Sequence, residues 1–120
     1  MTGTTMMVFL RAATTAVAAL LIAQAALAGG FLSGNYEALA VHAITGGLTV
    51  VALLVQLVAA VLLWRKDRGP SWPARVSLVQ VLVAGALIPL GEQRVLTLHV
   101  PLAVGLTVGV ALLVVWSWRT

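Results

Sequence analysis

The sequence contains no cysteine. That excludes a disulfide, an Fe–S cluster, a thiolate metal site and a covalently attached c-type haem. Acidic residues are nearly as scarce: Glu37, Asp67 and Glu92 are the only three in 120 residues, and charged residues of both signs make up 8%. None of the three lies inside a long apolar run, which excludes a carboxylate proton relay through those runs. His-Glu-x-x-His, nucleophile-elbow and phosphate-loop patterns are absent as well. So are the alternating segments of about ten residues that mark a membrane β-barrel.

What remains is apolar. Hydrophobic residues make up 62% of the chain and mean hydropathy is +1.11, more than a soluble domain of this size can hide. A bilayer core takes about 20 helical residues to cross, and four stretches are near or above that length: 11–29, 38–63, 74–89 and 95–116. Helices are the structure that satisfies the backbone in lipid without a closed barrel. The expected fold class is therefore all-α, a single membrane domain (1–120) built as a four-helix transmembrane bundle. The third span is the shortest, with Pro89 and Gly91 expected to close it by removing a donor and by permitting a left-handed cap. Arg11, the Ala- and Leu-rich run and Ala26-Leu27-Ala28 before Gly29 also fit a cleaved secretory signal, which would leave three spans. The length of the run and its match to a later segment oppose that reading.

Basic residues set the expected orientation, because Lys and Arg near span ends are retained on the cytoplasmic side. Arg11, Arg65, Lys66, Arg68, Arg75 and Arg119 share one side, and Arg94 alone lies opposite, with Glu37 and Glu92. Trp64, Trp72, Trp116 and Trp118 fall on the basic side, where interfacial aromatics anchor helices. Both termini are thus expected in the cytoplasm of a multi-pass plasma-membrane protein. The net charge of +4 then requires no nucleic-acid partner; the lipid bilayer is the partner it implies, and the 65–68 loop can also meet anionic headgroups.

The two halves resemble each other. LIAQAALAGGFLSGNYEALAVHAITGGLTVVALL lies over SLVQVLVAGALIPLGEQRVLTLHVPLAVGLTVGVALL with single-residue gaps, so that Gln24 meets Gln80 and His42 meets His99. The expected unit is a helical hairpin used twice, related by an approximate twofold axis along the membrane normal. Counting at ~1.5 Å per residue, His42 is ~33 Å from Trp64 and His99 ~26 Å from Trp116. Both fall in the outer part of the membrane, where a twofold arrangement lets them face each other across the bundle axis.

A b-type haem suits such a pair, taking one neutral imidazole on each face of the iron without any cysteine. Arg94, five residues before His99, is the candidate propionate partner. Gln24 and Gln80 are candidates for orienting the imidazoles, although helix-to-helix glue is the plainer role for Gln24, Gln80 and Gln56 alike. Gly46 and Gly47 are placed to make room for a flat ligand. Pro101 either kinks the fourth span or marks its start. Zinc is a weaker candidate, since Glu37 or Glu92 would have to complete its tetrahedron. The bland alternative, that both histidines reach interfacial water, stays open.

With YEALAVHA after an outer loop, a basic inner loop and LTLHVPLAVG entering the last helix, the chain resembles the small four-helix integral membrane proteins, many from actinobacteria, that look like one half of haem A synthase and more loosely like b-type membrane cytochromes. The resemblance covers nearly the whole chain. It implies histidines on the second and fourth helices near the outer face, which His42 and His99 match, and one haem-binding half. The chain is about half that enzyme's length and lacks the paired loop cysteines of many members, so haem modification is not implied. The leading expectation is haem-b binding for electron transfer or redox sensing, with a quinone or a respiratory membrane protein as partner. The alternatives are a packing or assembly subunit without cofactor and, further off, an oligomeric transporter. Gly105 and Gly109 form a small-xxx-small pair that serves packing within the bundle or in a homo-oligomer equally well.

Overall fold

The computed structural model describes residues 2–120, with side chains from Thr5 onward. Four α-helices account for nearly all of it: α1 (Thr2–Leu32), α2 (Glu37–Arg65), α3 (Trp72–Glu92) and α4 (Leu96–Arg119). No strand occurs among the described residues. All four helices are long and apolar enough to cross a membrane. Even the shortest, α3 with 21 residues, reaches about 31 Å at 1.5 Å per residue, the thickness of a hydrocarbon core.

Short connections force sequence neighbours to pack antiparallel. Accordingly α1 packs on α2, α2 on α3, α3 on α4, and α4 closes back on α1, while the diagonal pairs stay apart. The result is a rod of 50 × 19 × 19 Å. Its outside is paved with exposed Ile22, Ile44, Leu82, Val104 and Leu112, whereas Thr14, Thr49, Gln56, Ser77, Gln80 and Ser117 are buried inside. In water such a surface would drive aggregation; in lipid it is matched to the solvent.

The core has two sections. Val17, Leu21, Leu53, Ala84, Leu106 and Val110 draw all four helices together at the middle. Leu10, Ala59, Ala60, Leu63 and Ala74 form the second section, capped by Trp64 and Trp116. At the same end Trp72 meets Trp116 edge-on with ring centroids 4.7 Å apart. Arg11, expected to open the first span, lies ten residues inside α1. Its Nε donates to the Ser117 carbonyl at 2.6 Å and its Nη2 to the Thr120 carbonyl at 2.9 Å. It thereby satisfies carbonyls that the end of α4 leaves open.

Helix α1 starts well before residue 11 because Leu10 is fully buried and Met6 and Met7 pack beside it. Pro89 does not end α3; it sits inside the helix. A proline there forgoes only its own bond to the Gly85 carbonyl, and its fixed φ is helical. Termination comes five residues later, at Arg94, whose φ is 58°. Val95 N–H donates to the Leu90 carbonyl and Arg94 N–H to the Gly91 carbonyl, the paired bonds of a Schellman cap. The end of α1 is capped the same way, with Gly34 at φ 106° and bonds from Asn35 to Gly30 and from Gly34 to Phe31. Pro101 is likewise inside α4, not at its start.

Candidate functional site: a histidine pair across the bundle axis

At the end of the rod opposite the tryptophans, α2 and α4 each bring one imidazole to the axis. His42 is the sixth residue of α2 and His99 the fourth of α4. These helices are diagonal neighbours, yet the two rings lie with centroids 6.4 Å apart and planes inclined by 54°. Both residues are half-buried.

Each ring is fixed by a main-chain acceptor on the preceding helix. His42 Nδ1 lies 3.0 Å from the Gln24 carbonyl of α1, and His99 Nδ1 lies 2.9 Å from the Leu87 carbonyl of α3. A carbonyl can only accept, so Nδ1 carries the proton in both rings. In the neutral imidazole this leaves the Nε2 lone pair available, and neither Nε2 has a hydrogen bond among the described residues. A ring nitrogen bonded in this way holds its partner nitrogen in a defined direction and makes it more basic, the arrangement common to metal-binding histidines. Two imidazoles bound in line to one metal at about 2 Å per nitrogen put their centroids about 6 Å apart. The observed separation is close to that value.

Glycines open the space these side chains need. A Cβ on Gly91 would fall 3.0 Å from His99 Cε1 and 3.2 Å from its Nδ1. Gly91 is therefore a cradle for the imidazole, where the sequence suggested a helix stop. Gly46, expected to leave room for a flat ligand, instead accommodates the Gln24 amide, whose Nε2 would lie 3.0 Å from an added Cβ. Gly47 faces open space.

The two matched glutamines part company. Gln24 reaches His42, but through its backbone; its side-chain Oε1 accepts a hydrogen bond from Thr45. Gln80 is not brought to His99. It belongs to a buried group between α2 and α3, where Gln56 Nε2 donates to Gln80 Oε1 at 2.7 Å and to Ser77 Oγ at 3.0 Å. Arg94 is exposed in the loop before α4, and its guanidinium has no hydrogen bond or ion pair among the described residues. No set of three His, Cys, Asp or Glu side chains comes together among the described residues, so Glu37 and Glu92 do not complete a tetrahedral site.

Two contributors are absent from the sequence reading. Thr45, three residues after His42 on the same helix face, had a positional signal. The Leu87 carbonyl had none, since every residue carries one. Comparison with protein-family models, with curated proteins and with solved structures finds no match to this chain.

Proposed function

We propose that this chain is a b-type haem protein of the plasma membrane, in which His42 and His99 would hold the iron near the extracytoplasmic face, with both termini in the cytoplasm. One observation carries the reading: two half-buried imidazoles from diagonal helices, 6.4 Å apart, each with Nδ1 tied to a main-chain carbonyl. The donor set suits haem better than zinc, because two imidazoles would suffice for a porphyrin iron and would leave a tetrahedral site half made.

A haem held there would supply one-electron chemistry. The protein's own residues do the rest. The Gln24 and Leu87 carbonyls hold the imidazoles and raise the basicity of Nε2. Gly91 keeps the His99 ring free of a clashing Cβ. Arg94 presents an unpaired guanidinium at the aqueous end of the bundle, suited to a propionate. A single centre at one end of a 50 Å rod would suit electron exchange with a partner at the outer face, or redox sensing there; a quinone or a respiratory membrane protein fits that role.

The test is an absorption spectrum of the protein purified from haem-replete membranes. A Soret band and a reduced α-band are expected, both lost in the His42→Ala, His99→Ala double variant. A colourless wild-type protein would sink the proposal and leave a packing or assembly subunit as the better reading.

A further inference from the structure

A groove of about 440 Å³ runs between α3 and α4 on the outside of the bundle, bounded by Arg75, Val79, Gln80 and Val83 on one helix and by Pro101, Gly105 and Gly109 among others on the facing one. That volume lies in the range of small-molecule sites. One side chain in it is chemically unfinished. Gln80 is only 5% exposed, and its Nε2 has no hydrogen-bond partner. Desolvated amide donors are nearly always paired, so a vacant one at the wall of a groove calls for an acceptor. Nε2 is itself closed over and packs against Gly109 opposite, where an added Cβ would lie 3.3 Å from it, so an acceptor reaches the amide by parting this small-residue contact. Gly105, one turn further, has open space where its side chain would be.

The order of chemistry along the groove identifies the occupant. Arg75 lies five residues before Gln80, about 7.5 Å along the helix, and close to Trp72 at the tryptophan end. Its guanidinium is exposed and has no hydrogen bond or ion pair among the described residues. Beyond Gln80 the walls are apolar, through Val83 to Pro101. A cation at the interface, then a buried donor, then a hydrocarbon slot reproduces the order of phosphate, ester carbonyl and acyl chain. A quinone brings a carbonyl but no anion for Arg75. A docking helix engages its carbonyls in its own ladder and offers an acceptor only through a polar side chain, which is scarce at this depth.

We propose that this groove binds one anionic glycerophospholipid, its phosphate on Arg75 and an acyl-ester carbonyl accepting from Gln80 Nε2. The basic loop that also carries Arg65, Lys66 and Arg68 favours an anionic headgroup over a zwitterionic one. The proposal is independent of the histidine pair.

Native mass spectrometry of the full chain in detergent tests it, with phosphatidylglycerol, its diether analogue and phosphatidylcholine offered at equal concentration. Wild type is expected to retain the ester-linked lipid over the diether by about three- to tenfold, the worth of one hydrogen bond, and phosphatidylglycerol over phosphatidylcholine. Gln80→Leu removes the first preference and keeps the second; Arg75→Gln does the reverse. Should Gln80→Leu fail to fold, Gly109→Ala obstructs the same amide and carries the same expectation. Gly105→Leu, growing into open space, lowers retention of all three lipids at an unchanged unfolding midpoint. Equal binding of ester and ether lipids by wild type overturns the proposal. So does Arg75-dependent binding of inorganic phosphate alone that displaces no lipid, or a co-purifying quinone in place of lipid.

Discussion

At the tryptophan end, Leu10, Ala59 and Ala60 are buried completely and Trp64 and Trp116 close over them. At the histidine end, beyond Leu21, Thr49, Ala84 and Leu106, Ala38 is the one buried residue among those described. The same four helices thus pack tightly over most of their length and loosely where the imidazoles meet. In a close-packed interior a side chain is held by its neighbours on all sides; His42 and His99 are held by one hydrogen bond each and a glycine's worth of room. Stability and chemistry are divided between the two ends, and the rings are positioned by main-chain acceptors because little side-chain packing is there to do it.

Variants at each end should separate these roles. The largest effect is expected from removing an imidazole: His42→Ala or His99→Ala alone should cut haem retention by at least an order of magnitude, with the helical circular dichroism intact. Next, Leu53→Ala in the middle section should destabilise the bundle by about 2–5 kcal/mol, read as a lower thermal midpoint in detergent with an unshifted spectrum. Leu27→Ala, half-buried at the histidine end, should cost under about 1 kcal/mol by the same chemistry, since little packing is lost. Equal losses at Leu53 and Leu27 would erase the distinction between the ends.

Gly91→Ala probes the histidine end from within. Its new Cβ would press on the His99 ring, so a displaced Soret maximum and weaker haem retention are expected at nearly constant stability. The smallest effect concerns Arg94, a non-glycine residue in the left-handed region. Arg94→Gly should stabilise the fold by about 1 kcal/mol through relief of that strain, while Arg94→Ala should not. Both should weaken haem binding slightly if the guanidinium meets a propionate. A haem affinity untouched by either would remove Arg94 from the site.

The four helices were legible because apolar runs of bilayer length leave the backbone no other structure in lipid. The meeting of His42 and His99 was legible because each stands near the start of the second or fourth helix, and in a ring of four helices joined by short connections those two run the same way on opposite sides of one axis. Other features were hidden for specific reasons. Pro89 and Gly91 read as a helix stop, whereas the stop is the cap at Arg94, an arginine where composition rules look for glycine. Gln80 matched Gln24 by position, but Gln56 and Ser77 sit on a facing helix that no alignment of the chain with itself brings alongside. The partners of the imidazoles are backbone atoms and carry no letter of the sequence.

That last feature bears on how such a site drifts under mutation. The Gln24 and Leu87 carbonyls belong to the peptide chain, so any residue that keeps the helix supplies the same acceptor at 24 and 87. Selection on the orientation of the two rings has nothing to grip at those positions, and related chains can share the geometry while differing freely there. The anchoring half of the site is buffered against substitution, leaving His42, His99 and the small residue at 91 as the letters by which it could be traced.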